Sequence, residues 1–297
     1  MKNTINSLSP FMLILLLYGM FAGCKKEKDD DETIVLSGWP HGLKGTIAFS
    51  YQYVGSGAAG VIWTADSTGF KELSRARDYV DCIRWSPDKE KIAYSRNGKI
   101  YTMMPDGSNI TLIRSDSGSC QYFHLDWSPD GKKIAIGGYD VSLTSPEIYV
   151  MNADGTELFK LTPGEYPIWS PDGKNIIFLN SSGTWSIDLS DHSTTKLSDF
   201  ANPILTTITI DISPDGTKFV LGGSRISVMN LDGSSEKLLT PSDQVCFSPC
   251  WSPDGTKIAY WRTNNWEFNY LCIMDADGSN KIIVDRTPYT TNSSDCK

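Results

Sequence analysis

The sequence predicts an all-β chain that folds as a six-bladed β-propeller of four-stranded antiparallel blades. Two repeated segments predict it: a Trp-Ser-Pro-Asp turn followed by a short apolar run, and a second apolar run that leads into Asp-Gly. The composition agrees, because nine Trp and thirteen Tyr in 297 residues are typical of sheets that pack large side chains between them. Self-similarity at a period near 40 residues marks a repeat architecture.

The first repeated segment occurs four times in full and once in part, with neighbouring copies 39 to 43 residues apart. The full copies are Trp85–Asp88, Trp127–Asp130, Trp169–Asp172 and Trp251–Asp254, and Ile212–Asp215 keeps the last three residues. Upstream, Trp39 and the run Thr46–Phe49 fit the same pattern without Ser-Pro-Asp. The chain therefore contains six copies.

Each copy has the turn chemistry of a small antiparallel sheet. In Ser-Pro-Asp-Gly, Pro presets φ at the second position of a turn and Gly suits the last. The second segment, as in Ile148–Met151 followed by Asp154 and Gly155, predicts a hairpin with a type I′ turn at Asp-Gly. The short apolar runs on either side are typical of strands, so each unit of about 42 residues contains four of them.

A lone four-stranded sheet cannot bury two apolar faces, but a closed ring of sheets buries both. We therefore expect the repeated Trp to pack between adjacent blades, in a propeller that covers residues 33–285. Closure of the ring has two open points. Thr33–Leu36 could be the first strand of blade 1 or an extra strand on blade 6, and the C-terminal tail, 286–297, could lie across the seam or remain loose.

The N-terminus predicts export and lipid attachment. Lys2 precedes the apolar run Phe11–Met20, which is too short for a membrane span and is typical of a signal peptide covering residues 1–23. The segment Met20–Cys24 resembles the lipobox of bacterial lipoproteins, which implies lipidation of Cys24. Residues 24–32 then form a charged tether. We expect the outer membrane, with either the cell surface or the periplasmic face as the location.

The full unit, Trp-Ser-Pro-Asp-Gly-Lys-x-Ile-Ala followed by Ile-Tyr-x-Met-x-Ala-Asp-Gly and Leu-Thr, resembles the repeat of TolB-type β-propellers. The resemblance covers nearly all of the chain after the tether, and it implies the fold rather than a function. TolB itself carries an additional α/β domain before its propeller, which has no counterpart in this sequence. Oligogalacturonate lyases share this propeller and, as a family, use a His-rich metal site.

Candidate chemistry is sparse, and we predict neither enzymatic activity nor a cofactor. The three histidines, His41, His124 and His192, fall at different places in the repeat, so a shared metal or catalytic site is not expected. No Gly-x-Ser-x-Gly elbow and no phosphate-binding glycine loop occurs. A formal charge of −8 without a basic run in the body argues against nucleic-acid binding. The repeated Asp is expected to form turns rather than a calcium site.

Glycines and cysteines invite structural predictions. The pairs Gly137–Gly138 and Gly222–Gly223 are expected to relieve crowding within strands. Six cysteines remain besides Cys24, and an oxidising compartment would allow fifteen full pairings. Cys82 and Cys120 could bridge neighbouring blades, and Cys296 could fix the tail. Alternatively, several of these thiols are small buried apolar groups.

The predicted functional surface is the mouth of the central channel, where loops from every blade converge. The residues that lead into the innermost strands differ between blades, and the candidates for partner contact are Asp81, Tyr122, His124, Glu165 and Tyr166, together with Tyr79, Thr206, Thr207, Asp243 and Gln244. Their mixture of aromatic, hydroxyl and acidic groups suits an envelope protein or peptide. The alternative is a glycan, either bound or cleaved by a lyase.

Overall fold

The computed structural model describes residues 45–52, 60–76, 80–115, 120–140, 145–199, 209–264, 268–287 and 290–296. All helices and strands assigned in these ranges are β-strands. None of the described segments is a helix long and apolar enough to cross a membrane. The predictions made for the signal peptide, Cys24, the tether, Thr33–Leu36 and His41 lie outside the described residues.

The strands form six four-stranded antiparallel sheets, which are the predicted blades. Blade 1 contains β1 (Ile47–Gln52), β2 (Gly60–Asp66) and β3 (Gly69–Ala76). Blade 2 contains β4 (Val80–Trp85), β5 (Ile92–Arg96), β6 (Lys99–Met103) and β7 (Thr111–Arg114). Blade 3 contains β8 (Cys120–Trp127), β9 (Lys133–Asp140), β10 (Glu147–Asn152) and β11 (Phe159–Pro163).

The second half of the chain repeats this plan. Blade 4 contains β12 (Glu165–Trp169), β13 (Asn175–Asn180), β14 (Gly183–Asp188) and β15 (Thr194–Ser198). Blade 5 contains β16 (Thr209–Ile212), β17 (Lys218–Gly222), β18 (Ser227–Asn230) and β19 (Lys237–Leu238). Blade 6 contains β20 (Val245–Trp251), β21 (Lys257–Asn264), β22 (Phe268–Asp275) and β23 (Ile282–Thr287).

The last strand, β24 (Thr290–Cys296), completes blade 1 by pairing antiparallel with β1, where Cys296 lies opposite Ile47. The end of the propeller therefore lies at residue 296 rather than 285, and the predicted tail, 286–297, contains the end of β23 and the innermost strand of blade 1. The sequence did not mark this strand because Thr290–Cys296 contains no aliphatic side chain. In the other five blades the innermost strand comes first along the chain. In blade 1 this place is taken by β24, which comes last.

The apolar core is divided into six clusters, one at each interface between neighbouring blades. Trp127 of blade 3 packs with Cys82, Ala93 and Ile100 of blade 2. Trp169 packs in the same way against blade 3. The repeated Trp side chains are 5–6% exposed. The prediction that they pack between blades is confirmed, and burying such a ring contributes several kcal/mol.

The Ser-Pro-Asp turns are closed by their own side chains. In blade 3, Ser128 Oγ donates to Asp130 Oδ1 at 2.7 Å, and it accepts a hydrogen bond from the Lys133 N–H at 2.9 Å. Asp130 Oδ1 also accepts from the Lys132 N–H at 3.1 Å. The hydrogen bond from the Ser128 hydroxyl has the largest effect among those that lower the pKa of Asp130. The repeated Asp is thus a turn residue, as predicted.

The predicted type I′ turn at Asp-Gly is wrong. In the hairpin between β10 and β11, the Gly155 N–H donates to the Asn152 carbonyl at 2.9 Å, so Gly155 is the fourth residue of the turn. Gly155 has a φ of 89°, whereas Asp154 is absent from the non-glycine residues with positive φ. Within the turn from Asn152 to Gly155, the positive φ falls on Gly155 at the last position, which indicates a turn followed by a glycine bulge, and Glu157 further along the loop has a φ of 52°.

Two glycines allow adjacent blades to approach closely. A Cβ on Gly222 of blade 5 would lie 2.4 Å from Pro249 Cδ of blade 6, and a Cβ on Gly137 would lie 3.2 Å from Pro167 Cδ of blade 4. Gly138 instead faces its own blade, where a Cβ would lie 2.7 Å from the Gln121 carbonyl oxygen. Crowding within a strand pair was therefore the correct reason for Gly138 and part of the reason for Gly222, where a Cβ would also lie 3.0 Å from Thr209 Oγ1, but the nearest contact of Gly137 is with the next blade.

Candidate partner-binding site at the channel mouth

The innermost strands β24, β4, β8, β12, β16 and β20 contact one another in turn around the ring. All six run in the same direction, because each pairs antiparallel with the second strand of its own blade. Their first residues therefore meet at one end of the central channel, which we call the mouth. Their last residues, with the repeated Trp, meet at the opposite end.

Four predicted residues reach the mouth from three adjacent blades. Asp81 lies on β4, His124 on β8, and Glu165 and Tyr166 on β12, and all four are partly exposed. The prediction that Tyr122 contacts a partner is wrong, because its side chain is fully buried between blades. Its ring lies edge-on to that of Tyr149, with centroids 6.1 Å apart. Further candidates, Tyr79, Thr206 and Thr207, lie outside the described residues.

His124 and Tyr166 form the centre of the described part of the mouth. Their ring centroids lie 3.9 Å apart with an interplanar angle of 34°. Burial, with a smaller effect from the nearby Arg84 guanidinium, lowers the pKa of His124 to about 3. The imidazole is therefore neutral at physiological pH and offers one donor and one acceptor nitrogen.

The backbone at Tyr166 is held in an unusual conformation. Tyr166 has a φ of 54° although it has a side chain and precedes Pro167, and the pairing of β12 with β13 is irregular here. Ser248 occupies the same repeat position in blade 6, precedes Pro249, and has a φ of 48°. Such left-handed residues cost about 1 kcal/mol or more and concentrate at functional sites. At this irregular position the Tyr166 ring lies against His124.

Glu165 extends the site to the second strand of blade 3. Its carboxylate accepts a hydrogen bond from the Tyr139 hydroxyl, and burial raises the pKa of Glu165 despite that bond. The Tyr139 ring, 37% exposed, lies edge-on to Phe123 with centroids 5.8 Å apart. Sequence reasoning missed Tyr139 because it considered only the innermost strands. The pairing of Tyr139 with Gln121 near the start of β8 was the available signal.

Asp81 is the most perturbed acid of the described residues. Burial raises its pKa to about 7. A carboxyl group that is half protonated near neutral pH can donate or accept a hydrogen bond, and a nearby cation would restore its charge. Perturbed acids of this kind occur at functional sites more often than elsewhere, although structural networks also produce them.

The cysteine and histidine predictions are resolved in part. Cys250 and Cys296 form a disulfide, so the C-terminal segment is fixed as the sequence allowed. Cys82 is a buried thiol that forms no disulfide and whose Sγ donates to the Leu125 carbonyl oxygen at 3.6 Å, so the suggested bridge from Cys82 to Cys120 is wrong. His192 lies in the hairpin turn between β14 and β15, away from His124.

The described residues contain no group of three or more His, Cys, Asp or Glu side chains that could hold a metal ion. The described mouth offers a neutral imidazole, two tyrosines and two acids with raised pKa. These groups can form hydrogen bonds, stack on planar groups and attract a cation.

The match to a family model decides the relationship, since the model of the TolB β-propeller domain matches residues 46–288. The chain belongs to the TolB β-propeller family. Among curated proteins, it is 29% identical over 204 residues to the uncharacterised protein Atu1656 of Agrobacterium fabrum, covering 58% of this chain and 64% of that protein. It is 27% identical over 209 residues to the uncharacterised peptidase YuxL of Bacillus subtilis, covering 64% of this chain but 31% of the peptidase.

Solved structures agree on the fold. TolB from Acinetobacter baumannii superimposes with a TM-score of 0.69 at 23% identity, covering 88% of this chain and 68% of that one. An oligogalacturonate lyase in complex with manganese gives a TM-score of 0.55 at 14% identity, covering 82% of this chain and 78% of the lyase. At these identities, the likeness of this TolB-family chain to both structures concerns the fold alone.

Proposed function

We propose that this TolB-family propeller binds a protein or peptide partner at the channel mouth without catalysing a reaction. The observation that carries the proposal is the convergence of Asp81, His124, Glu165 and Tyr166 from three adjacent blades, at positions where the repeat does not fix the residue. Desolvated acids beside stacked rings suit a segment that offers a cationic group and a planar or apolar one. The partner class is a protein or peptide of the cell envelope.

We also propose that the chain is held at the outer membrane by a lipid on Cys24, facing either the cell surface or the periplasm. The lipobox-like segment before Cys24 and the charged tether after it support this location. Proteinase treatment of intact cells distinguishes the two faces, and Cys24→Ser should release the protein from the membrane fraction. Retention of that variant in the membrane would contradict lipid attachment.

Crosslinking in living cells tests the binding proposal. A tagged full-length protein should capture a reproducible protein species, identified by mass spectrometry, and Asp81→Asn with Glu165→Gln should reduce its yield at least fivefold. Glu157→Gln with Glu236→Gln is the matched control, because it removes two negative charges from exposed positions on the hairpins of blades 3 and 5. Equal capture by both double variants would place the contact elsewhere.

Glycan binding is the second candidate, favoured by the half-exposed Tyr139 ring next to the Glu165 carboxylate. An aromatic face with an adjacent carboxylate can pack on a sugar ring and accept bonds from its hydroxyls. Tyr139→Ala should then abolish binding in a glycan screen. A rise in ultraviolet absorbance with pectic oligomers would indicate lyase activity and would overturn the non-catalytic proposal.

A further inference from the structure

A hydrogen bond between blades recurs at the residue that precedes the repeated Trp. Asp126 Oδ2 of blade 3 accepts from the Trp169 N–H of blade 4 at 2.8 Å. Asp211 Oδ2 of blade 5 accepts from the Trp251 N–H of blade 6, also at 2.8 Å. In each case a side chain one residue before the Trp position reaches the backbone at the Trp position of the next blade.

The disulfide between Cys250 and Cys296 occupies the same pair of positions at the seam, the interface of blades 6 and 1. Cys250 directly precedes Trp251, as Asp126 precedes Trp127. Cys296 pairs with Ile47, the first residue of β1, just as Trp169 pairs with Ile176 near the start of β13. The disulfide joins Cα atoms 5.8 Å apart and replaces the Asp-to-backbone bond by a covalent one.

The seam needs a stronger connection than the other interfaces. The innermost strands of blades 2 to 6 are each joined to the next strand of their blade by a short turn, whereas β24 returns to β1 from the far end of the chain. Bringing distant segments together costs loop-closure entropy. Because Thr290–Cys296 has no aliphatic side chain, its sequence offers little apolar area to offset that cost.

We propose that the oxidation state of Cys250 and Cys296 decides whether β24 stays in the ring. Forming the bond removes two electrons and two protons from the two thiols, which pass to a disulfide oxidant and reduce it to a dithiol. A dithiol reductant reverses the step and leaves β24 held by non-covalent contacts, chiefly its pairing with β1 and its packing on β4 and β20. One wall of the channel then opens. The family match ends at residue 288, before this strand.

The other described thiols are not expected to take part in this oxidation and reduction. Cys82, Cys246 and Cys272 are buried. Burial raises the pKa of Cys246 to about 11 and that of Cys272 to about 12, so little reactive thiolate forms. The proposal does not depend on the partner-binding function, because it concerns closure of the ring.

Hydrogen exchange measured by mass spectrometry tests the proposal on the full chain. Treating the protein with tris(carboxyethyl)phosphine should speed exchange of the amides in 290–296 at least tenfold, while β8 and β12 keep their protection. Cys250→Ser with Cys296→Ser should show the fast exchange without reductant and no further response to it. Unchanged exchange of β24 in both samples would overturn the proposal. Acceleration spread equally over blades 2 to 5 would also overturn it.

A second variant tests whether the Cys250–Cys296 disulfide and the Asp-to-backbone hydrogen bond play the same part at the interface between blades. Cys250→Asp with Cys296→Ser restores the side chain found at Asp126 and Asp211, which can accept from the backbone N–H of residue 296. Exchange of β24 should be at least threefold slower in this variant than in the double serine variant, and insensitive to reductant. Equal rates in the two variants would show that the seam does not use the repeated contact.

Discussion

The two ends of the innermost strands differ in how strictly their residues repeat from blade to blade. At the Trp end, blades 2 to 6 repeat one turn in which Ser donates to Asp at 2.6–2.7 Å, and the polar groups of the turn are satisfied within it. At the mouth, the residue three before the Trp position differs in each of these blades, from Cys82 to His124, Tyr166, Thr209 and Ser248. Repetition therefore marks what holds the ring together. Of the varying residues, His124, Tyr166 and Thr209 are partly exposed and available for recognition, whereas Cys82 and Ser248 are buried.

The largest expected effect tests the Trp end. Trp127→Ala should lower the free energy of unfolding by about 3–5 kcal/mol, because it leaves a cavity between blades 2 and 3. Trp169→Ala should cost a similar amount, since the position repeats. Chemical denaturation measures both. A loss below about 1 kcal/mol in either variant would mean that the interfaces are not held by these rings.

Two glycine substitutions test how closely neighbouring blades approach each other. Gly222→Ala should lower the free energy of unfolding by about 1–3 kcal/mol, because the new Cβ would lie 2.4 Å from Pro249 Cδ. Gly137→Ala, with 3.2 Å to Pro167 Cδ, should cost less. Thermal unfolding gives the order, and the reverse order would contradict the close approach at Pro249.

At the mouth, replacing an acid should stabilise the protein. The pKa of Asp81 is raised from 3.8 to about 7, so its contribution to stability is present below pH 4 and is lost as the pH rises through 7. Asp81→Asn should therefore raise the free energy of unfolding by about 2 kcal/mol at pH 8 and change it little at pH 4. Denaturation at the two pH values measures the difference. An equal effect at both would exclude burial of the charge as the cause.

His124 should respond to pH in the opposite sense. Its pKa is lowered from 6.5 to about 3, so its contribution is present above pH 6.5 and is lost as the pH falls. His124→Gln should therefore flatten the fall in stability between pH 6.5 and pH 4. The same denaturation series gives the slope, and a slope unchanged by the substitution would contradict the buried neutral imidazole.

The smallest expected effect concerns one repeated turn. Ser128→Ala removes the bonds to Asp130 and to the Lys133 N–H and should cost about 1 kcal/mol. Ser170→Ala should cost the same in blade 4, and the two should add because the sites are independent. Clearly unequal costs would show that the turns are not equivalent.

Much of the fold could be predicted because its causes are local. The Ser-Pro-Asp turn and the apolar runs act over a few residues, so their repetition indicated the blades, their number and the Trp interfaces. Part of the mouth followed from the same register, which placed His124 and Tyr166 at one end of the channel. Tyr122 was misassigned because the irregular pairing between Tyr122 and His124 changes which side chain faces the channel.

Local sequence patterns were enough to predict the six-bladed architecture, the turn role of the repeated Asp and the positions that vary. The folded structure was needed to show that β24 closes blade 1, that Cys250 is the partner of Cys296, and that Tyr139 donates to Glu165. The physical reason is distance along the chain. Turns and strand patterns depend on neighbouring residues, whereas ring closure, disulfide pairing and contacts between blades depend on where separate segments meet after packing.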